Sequence, residues 1–134
     1  MKEPAWIDEA DAMTLHAKLV GLHGGASGLR DAALLASALA RPRQQFAYAD
    51  EPDLIVMAAA YTAGIIKNHP FVDGNKRVGF VVGVLFLEIN GYRFNASEEE
   101  AAQAIINLAA GELDEQGYAQ FLKQNAVRRR QRSR

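Results

Sequence analysis

Apolar positions recur at helical spacing through most of the chain. Ala12, Leu15, Leu19 and Leu22 make one stripe behind Asp8, and Gly24 with Gly25 closes that segment near His23. Asp31 offers the same kind of cap to a short helix, Ala32 to Ala40, which is expected to stop ahead of Pro42. The connector ARPRQQFAYADEP is long for a structureless link, so part of it is expected to be helical. Asp53 opens a helix reaching about Asn68, apolar at Ile55, Met57–Ala60, Ala63 and Ile65–Ile66 and dominated by small residues that permit close packing. A loop follows from His69 to Asp73, broken at Pro70, and then a helix from about Gly74 to Asn90 closed by Gly91. Ser97 with Glu100 makes a capping box for a helix ending at Gly111, and a last helix runs from about Asp114 to Asn125. Tyr92–Phe94 is the one strand-like patch.

The segment from Gly74 to Asn90 is the most hydrophobic. Between Val78 and Ile89 its only charge is Glu88, so it is apolar nearly all round and is expected in the middle of a bundle. The predicted fold class is therefore all-α: about six helices around this central hydrophobic helix. Phe80 to Ile89 is far short of the roughly 20 apolar residues that a membrane span needs. The N-terminal residues carry acids early and no apolar run, so no signal peptide is expected. The chain has no cysteine, which removes disulfide and thiolate chemistry and fits a cytoplasmic location.

At 134 residues and 49% apolar, one domain is expected, over residues 1–127. The formal net charge of −1 hides an asymmetry, because the last seven residues, RRRQRSR, hold five of the 15 Lys and Arg and no acid. Residues 1–127 thus carry 10 cations against 16 acids. Residues 128–134 are expected to be a disordered basic tail, the only route by which the chain would touch nucleic acid.

The candidate chemistry sits where the hydrophobic helix begins, in HPFVDGNKR at residues 69–77. A helix starting near Gly74 leaves its first amides unpaired, its dipole adds partial positive charge, and glycine leaves room for an approaching anion. Lys76 and Arg77 on that first turn oppose the dipole, each costing roughly 0.3–1 kcal/mol when exposed. The sign reverses if a polyphosphate lies there, the lysine acting as a point charge and the arginine as a fork. Asp73 is either the salt-bridge partner of these cations or a ligand for a magnesium ion bridging phosphates. His69 has the chemistry to take a proton from an attacking hydroxyl. Asn75 orients either a phosphate oxygen or the loop itself. No GxxxxGK[ST] is present, and no GxGxxG follows a strand, so the familiar nucleotide loops are excluded. The glycine-rich loop at 24–28 reads as a chain reversal. His16 and His23 share a helix face without a third ligand, a poor metal pair. Trp6 and Phe46 read as packing residues.

HPFVDGNKR resembles the signature of the Fic/Doc (Fido) family, and in particular its death-on-curing branch. The wider pattern is HPFxxGNGR with a further Arg after two more residues. Lys76 stands here in place of its second Gly, and Phe80 in place of its last Arg, departures that look like the Doc branch. The stretches GGASGLRDAALLASALARPRQQFAYAD, NGY at 90–92 and AAGELD at 109–114 are also similar to Doc sequences, in the same order. The resemblance implies a six-helix bundle. It implies His69 as general base, Asp73 as magnesium ligand, Gly74 and Asn75 as an anion nest, and Lys76 and Arg77 as holders of ATP phosphates, with Phe71 anchoring the loop. It implies a toxin kinase acting on elongation factor Tu and restrained in trans by a small Phd-like antitoxin, since no inhibitory [ST]xxxE[GN] motif is found. Two alternatives stand beside it: transfer of AMP instead of phosphate, and an inactive member that binds a partner or nucleic acid.

Overall fold

The computed structural model describes residues 1–129. Six helices account for most of them: α1 (Glu9–His23), α2 (Ala32–Tyr48), α3 (Leu54–Asn68), α4 (Asn75–Ile89), α5 (Glu98–Ala110) and α6 (Glu115–Asn125). Two short strands, β1 (Tyr92–Phe94) and β2 (Ala126–Arg128), complete the described elements. The all-α bundle expected from the apolar spacing is what forms, and no helix among the described residues is long and apolar enough to cross a membrane.

Side-chain caps set most of the helix starts. Asp8 accepts from the Asp11 amide at 2.9 Å while the Asp11 carboxylate accepts from the Asp8 amide at 3.0 Å. Asp31, Asp53, Ser97 and Asp114 accept in the same way at the heads of α2, α3, α5 and α6. The caps at Asp8, Asp31, Asp53 and Ser97 were legible in the sequence, whereas Asp114 was read only as the approximate start of its helix. The end of α2 was not legible, because the helix runs through Pro42 to Tyr48 instead of stopping before it. A proline inside a helix costs about 3 kcal/mol. Here Leu35, Ala38, Leu39 and Pro42 are buried together, and beyond them Phe46 packs edge-on against Trp6 at 5.8 Å, with the Arg43 guanidinium 5.1 Å from the same ring. Packing on both sides of Pro42 carries the helix across it.

The most enclosed helix is α3, not α4. Eleven α3 residues are buried, from Leu54 to Ile65 with only Val56 less so, whereas α4 buries Asn75, Val78, Gly79, Val82, Gly83, Phe86 and Leu87 and leaves Ile89 exposed. An unbroken apolar run overstated α4, whose outer side is only half covered, Phe80 meeting Phe94 of β1 at 5.8 Å. Small residues decide which helix goes inside, since they let neighbours approach on every side. At the α3–α4 crossing, a Cβ on Gly83 would collide with Thr62 Oγ1, which already donates to the Gly79 carbonyl at 2.8 Å.

The last described residues fold back on the body. β2 pairs antiparallel with β1, Tyr92 facing Arg128, Arg93 facing Val127 and Phe94 facing Ala126. The Arg129 amide donates to Gly91 O at 2.8 Å and its guanidinium to Glu88 O at 2.9 Å. Arg128 and Arg129 therefore belong to the folded body, which corrects the tail expected from residue 128. The cations beyond Arg129 lie outside the described residues.

Candidate active site

α3 ends at Asn68, and His69 closes it in the left-handed conformation, φ 52° and ψ 53°, its amide donating to Ile65 O at 3.0 Å. It is the one residue other than glycine with positive φ among the described residues. Such a conformation costs roughly 1–2 kcal/mol, so neighbouring contacts must hold it. Arg30 supplies them, Nε donating to His69 O at 2.7 Å and a terminal nitrogen to Asn68 O at 3.0 Å.

Phe71 next turns fully inward. Asn75, itself buried, brackets it: the Phe71 amide donates to Asn75 Oδ1 and Asn75 Nδ2 donates to Phe71 O, both at 2.9 Å. Of the two roles open to Asn75, its side chain takes the second and orients the loop. What Asn75 has to offer an anion is its backbone N–H.

The glycine-rich loop between α1 and α2 lies along the other side, so it does more than reverse the chain. The amides of Arg30 and Asp31 donate to Pro70 O at 2.6 and 3.0 Å, and Val72 N donates to Gly28 O at 3.0 Å. Ala26 N reaches Asp73 Oδ2 at 3.3 Å. A Cβ on Gly25 would come within 2.8 Å of that oxygen, and its φ of 108° is a conformation that favours glycine.

α4 then begins without a side-chain cap. Gly74 sits at φ 79°, and the first amide bonded back along the helix is Val78 N, to Gly74 O at 2.9 Å. The amides of Asn75, Lys76 and Arg77 precede it and have no helical carbonyl to meet. No acid lies in this first turn, and Lys76 and Arg77 are exposed. The one ion pair among the described residues is Arg41–Glu115, so the salt-bridge reading of Asp73 is not met. Its carboxyl is nonetheless held below the usual carboxylate range, first by the Ala26 N–H and then by the Gly74 N–H, with the Arg77 charge adding to them. Asp73 is exposed and keeps lone pairs beyond these two bonds. One such carboxylate suffices for magnesium when phosphates and waters supply the other ligands. No group of three or more His, Asp or Glu residues suited to an all-protein metal site occurs among the described residues.

His69, Asp73, Gly74, Asn75, Lys76 and Arg77 all line one cavity of about 400 Å³, walled on its apolar side by Ile66 and Ala109. All six residues singled out in the sequence are thus brought together. Phe80 lines a separate, mostly apolar cleft with Val84, Phe94 and Ile105, reached past Arg77. Two residues that matter locally were missed. Arg30 carried no signal beyond lying in the glycine-rich loop between α1 and α2. His16 reads as one of a poor metal pair, yet it is buried and its Nε2 lies 2.7 Å from Asp73 O.

A helix bundle with a loop of this kind leading into its fourth helix defines a protein class, and the chain belongs to it: the sequence pattern of the Fic/DOC family matches residues 6–87. The chain is 28% identical over 117 residues to the protein kinase Doc of Escherichia phage P1, covering 87% of this chain and 92% of that one. It is 34% identical over 107 residues to the toxin Doc of Mycolicibacterium smegmatis, covering 78% and 80% of the two chains. These relatives lie on the Doc branch, as the Asn75–Lys76–Arg77 run implied.

Proposed function

We propose that this protein is a Doc-type toxin of a toxin–antitoxin module that transfers the γ-phosphoryl group of ATP to a hydroxyl of a translation protein, with elongation factor Tu as the candidate. The observation that carries the reading is the cavity at the head of α4. It gathers an imidazole, a carboxylate, free amides and two cations around an uncapped helix start. The names of the two Doc relatives, a kinase and a toxin, support it.

In this reading the free amides of Asn75, Lys76 and Arg77 hold phosphate oxygens, and the two side chains add charge. The imidazole of His69 accepts the proton of the attacking hydroxyl as that oxygen bonds to the γ-phosphorus. The bond from the γ-phosphorus to the β-bridging oxygen breaks, and ADP leaves. Magnesium, held by Asp73 together with the phosphates, would supply charge neutralisation. Positioning and electrostatics provide most of the acceleration in such a transfer. The kinase orientation is favoured over AMP transfer by Phe80, which packs against Phe94 at the position where the wider family's pattern has a second arginine. A small Phd-like antitoxin covering the cavity in trans fits the same reading.

Paired reactions on cell extract with magnesium, one with ATP labelled at the γ-phosphate and one at the α-phosphate, test it. Label reaching protein from γ-labelled ATP alone, and lost in His69→Ala, is the expected result. Label from α-labelled ATP alone would replace the kinase reading with AMP transfer.

A further inference from the structure

His16 stands on α1, far in sequence from the loop it touches. It is 4% exposed. Its ring lies flat on Phe71, centroids 4.0 Å apart and planes 9° from parallel. Nε2 is 2.7 Å from Asp73 O, and a carbonyl only accepts, so this nitrogen carries the proton. A Cβ placed on Gly74 would lie 3.7 Å from the same nitrogen, so the ring also floors the turn that opens α4.

The bond to Asp73 O acts on the peptide unit joining Asp73 to Gly74. At one end of that unit the carbonyl is held by His16. At the other, the Gly74 N–H donates to Asp73 Oδ1 at 2.8 Å. Fixing the carbonyl fixes the whole plane, because the peptide bond does not rotate. Fixing the plane aims the N–H, and the N–H sets one oxygen of the carboxylate. The Phe71 backbone is bracketed by Asn75 at its amide and carbonyl and the side chain is fully buried, so the surface against which His16 stacks is itself held in place. A histidine that merely filled space would need the stack and not the proton.

We propose that His16 is a positioning residue for the phosphoryl-transfer site, fixing the Asp73–Gly74 peptide plane and through it the Asp73 carboxylate and the first amides of α4. The inference rests on the transfer reading for its kinetic consequence and on the geometry alone for its structural one. It assigns to α1 a part in the site that the loop motif does not contain.

Two variants of the full chain separate the hydrogen bond from the ring. His16→Phe keeps an aromatic ring on Phe71 and removes the donor; His16→Gln keeps a donor at about the reach of Nε2 and removes the stack. Amide hydrogen exchange at residues 73–77, without nucleotide, is measured beside the thermal midpoint and the kcat and KM of transfer from γ-labelled ATP. For His16→Phe the expected result is exchange at Gly74, whose N–H is the one hydrogen-bonded through this peptide plane, faster by about tenfold or more, and kcat lower by a factor of about 10 to 100, the range that small misplacements produce. KM for ATP should change less, and His16→Gln should recover most of both losses. Wild-type exchange and kcat in His16→Phe would overturn the proposal. So would a His16→Gln variant as impaired as His16→Phe, which would reduce His16 to a ring that fills space. If the wild type itself gives no His69-dependent label, the transfer reading fails, and the exchange comparison alone decides the role of His16.

Discussion

The heads of α4 and α5 answer the same problem in opposite ways. α5 starts with Ser97 accepting from Glu100 N at 3.1 Å, the Glu100 carboxylate accepting in turn from Ser97 N, and three glutamates in its first turn. Every element of that arrangement lowers the energy of the folded chain. α4 starts with a left-handed glycine, no side-chain cap, no acid and two exposed cations. Nothing in its own turn satisfies the first amides. The difference teaches that a helix start can be read for purpose: where local stability is not served, the start is a candidate for a ligand of the opposite charge, the role proposed for it above.

The largest expected effect removes the chemistry and leaves both helix heads as they are. His69→Ala should lower transfer by about 10²- to 10⁴-fold, the usual share of a general base. The melting temperature should stay near that of the wild type, because His69 is exposed and its backbone is held by Arg30. A labelling assay run beside a thermal melt checks both halves. Lys76→Glu makes the head of α4 more like that of α5. It should weaken ATP binding by about 10- to 100-fold, the worth of a charge-assisted bond, while stabilising the free protein by about 0.3–1 kcal/mol. Calorimetric titration with ATP and urea unfolding would read the opposed signs, and a fall in both would break the comparison.

Ser97→Ala probes the other side. It should cost about 1 kcal/mol of stability and leave transfer unchanged. The smallest effect concerns Asp73, whose folded-state pKa is lowered by the Ala26 and Gly74 amides. A lowered value means that the charged carboxylate stabilises the fold above its unfolded value, near 3.8, and that this contribution disappears as pH falls through the lower folded value. The charge-dependent part of the difference between wild type and Asp73→Asn should therefore be level from pH 7 down to about 5 and shrink below 3.8. Unfolding curves across that range test it, and a difference that grew on acidification would contradict the assignment.

Much of this was legible in the sequence because it is local. Asp31, Asp53 and Ser97 announce their helices within four residues, and HPFVDGNKR holds six of the eight residues that line the cavity, Ile66 and Ala109 being the others. What was not legible depends on distant partners. Pro42 stays inside α2 because Trp6 and the neighbouring core hold both halves of the helix. β2 exists because β1 is waiting for it, which a glance at AVR alone does not reveal. His16 reads only as half of a poor metal pair until α1 is laid against the start of α4. The depth of α3 was underestimated for a related reason: alanines score as mildly apolar, yet their small size is what lets three neighbours close in.

The β1–β2 ribbon has a practical consequence. It ties Arg129 to Gly91 and Glu88, at the far end of α4 from the cavity. Fifteen helical residues at 1.5 Å each separate the two ends by about 22 Å. A fluorophore or affinity handle placed at position 129 would therefore stand well away from the cavity at the head of α4. A handle before Glu9 would instead enter through α1, the helix that carries His16.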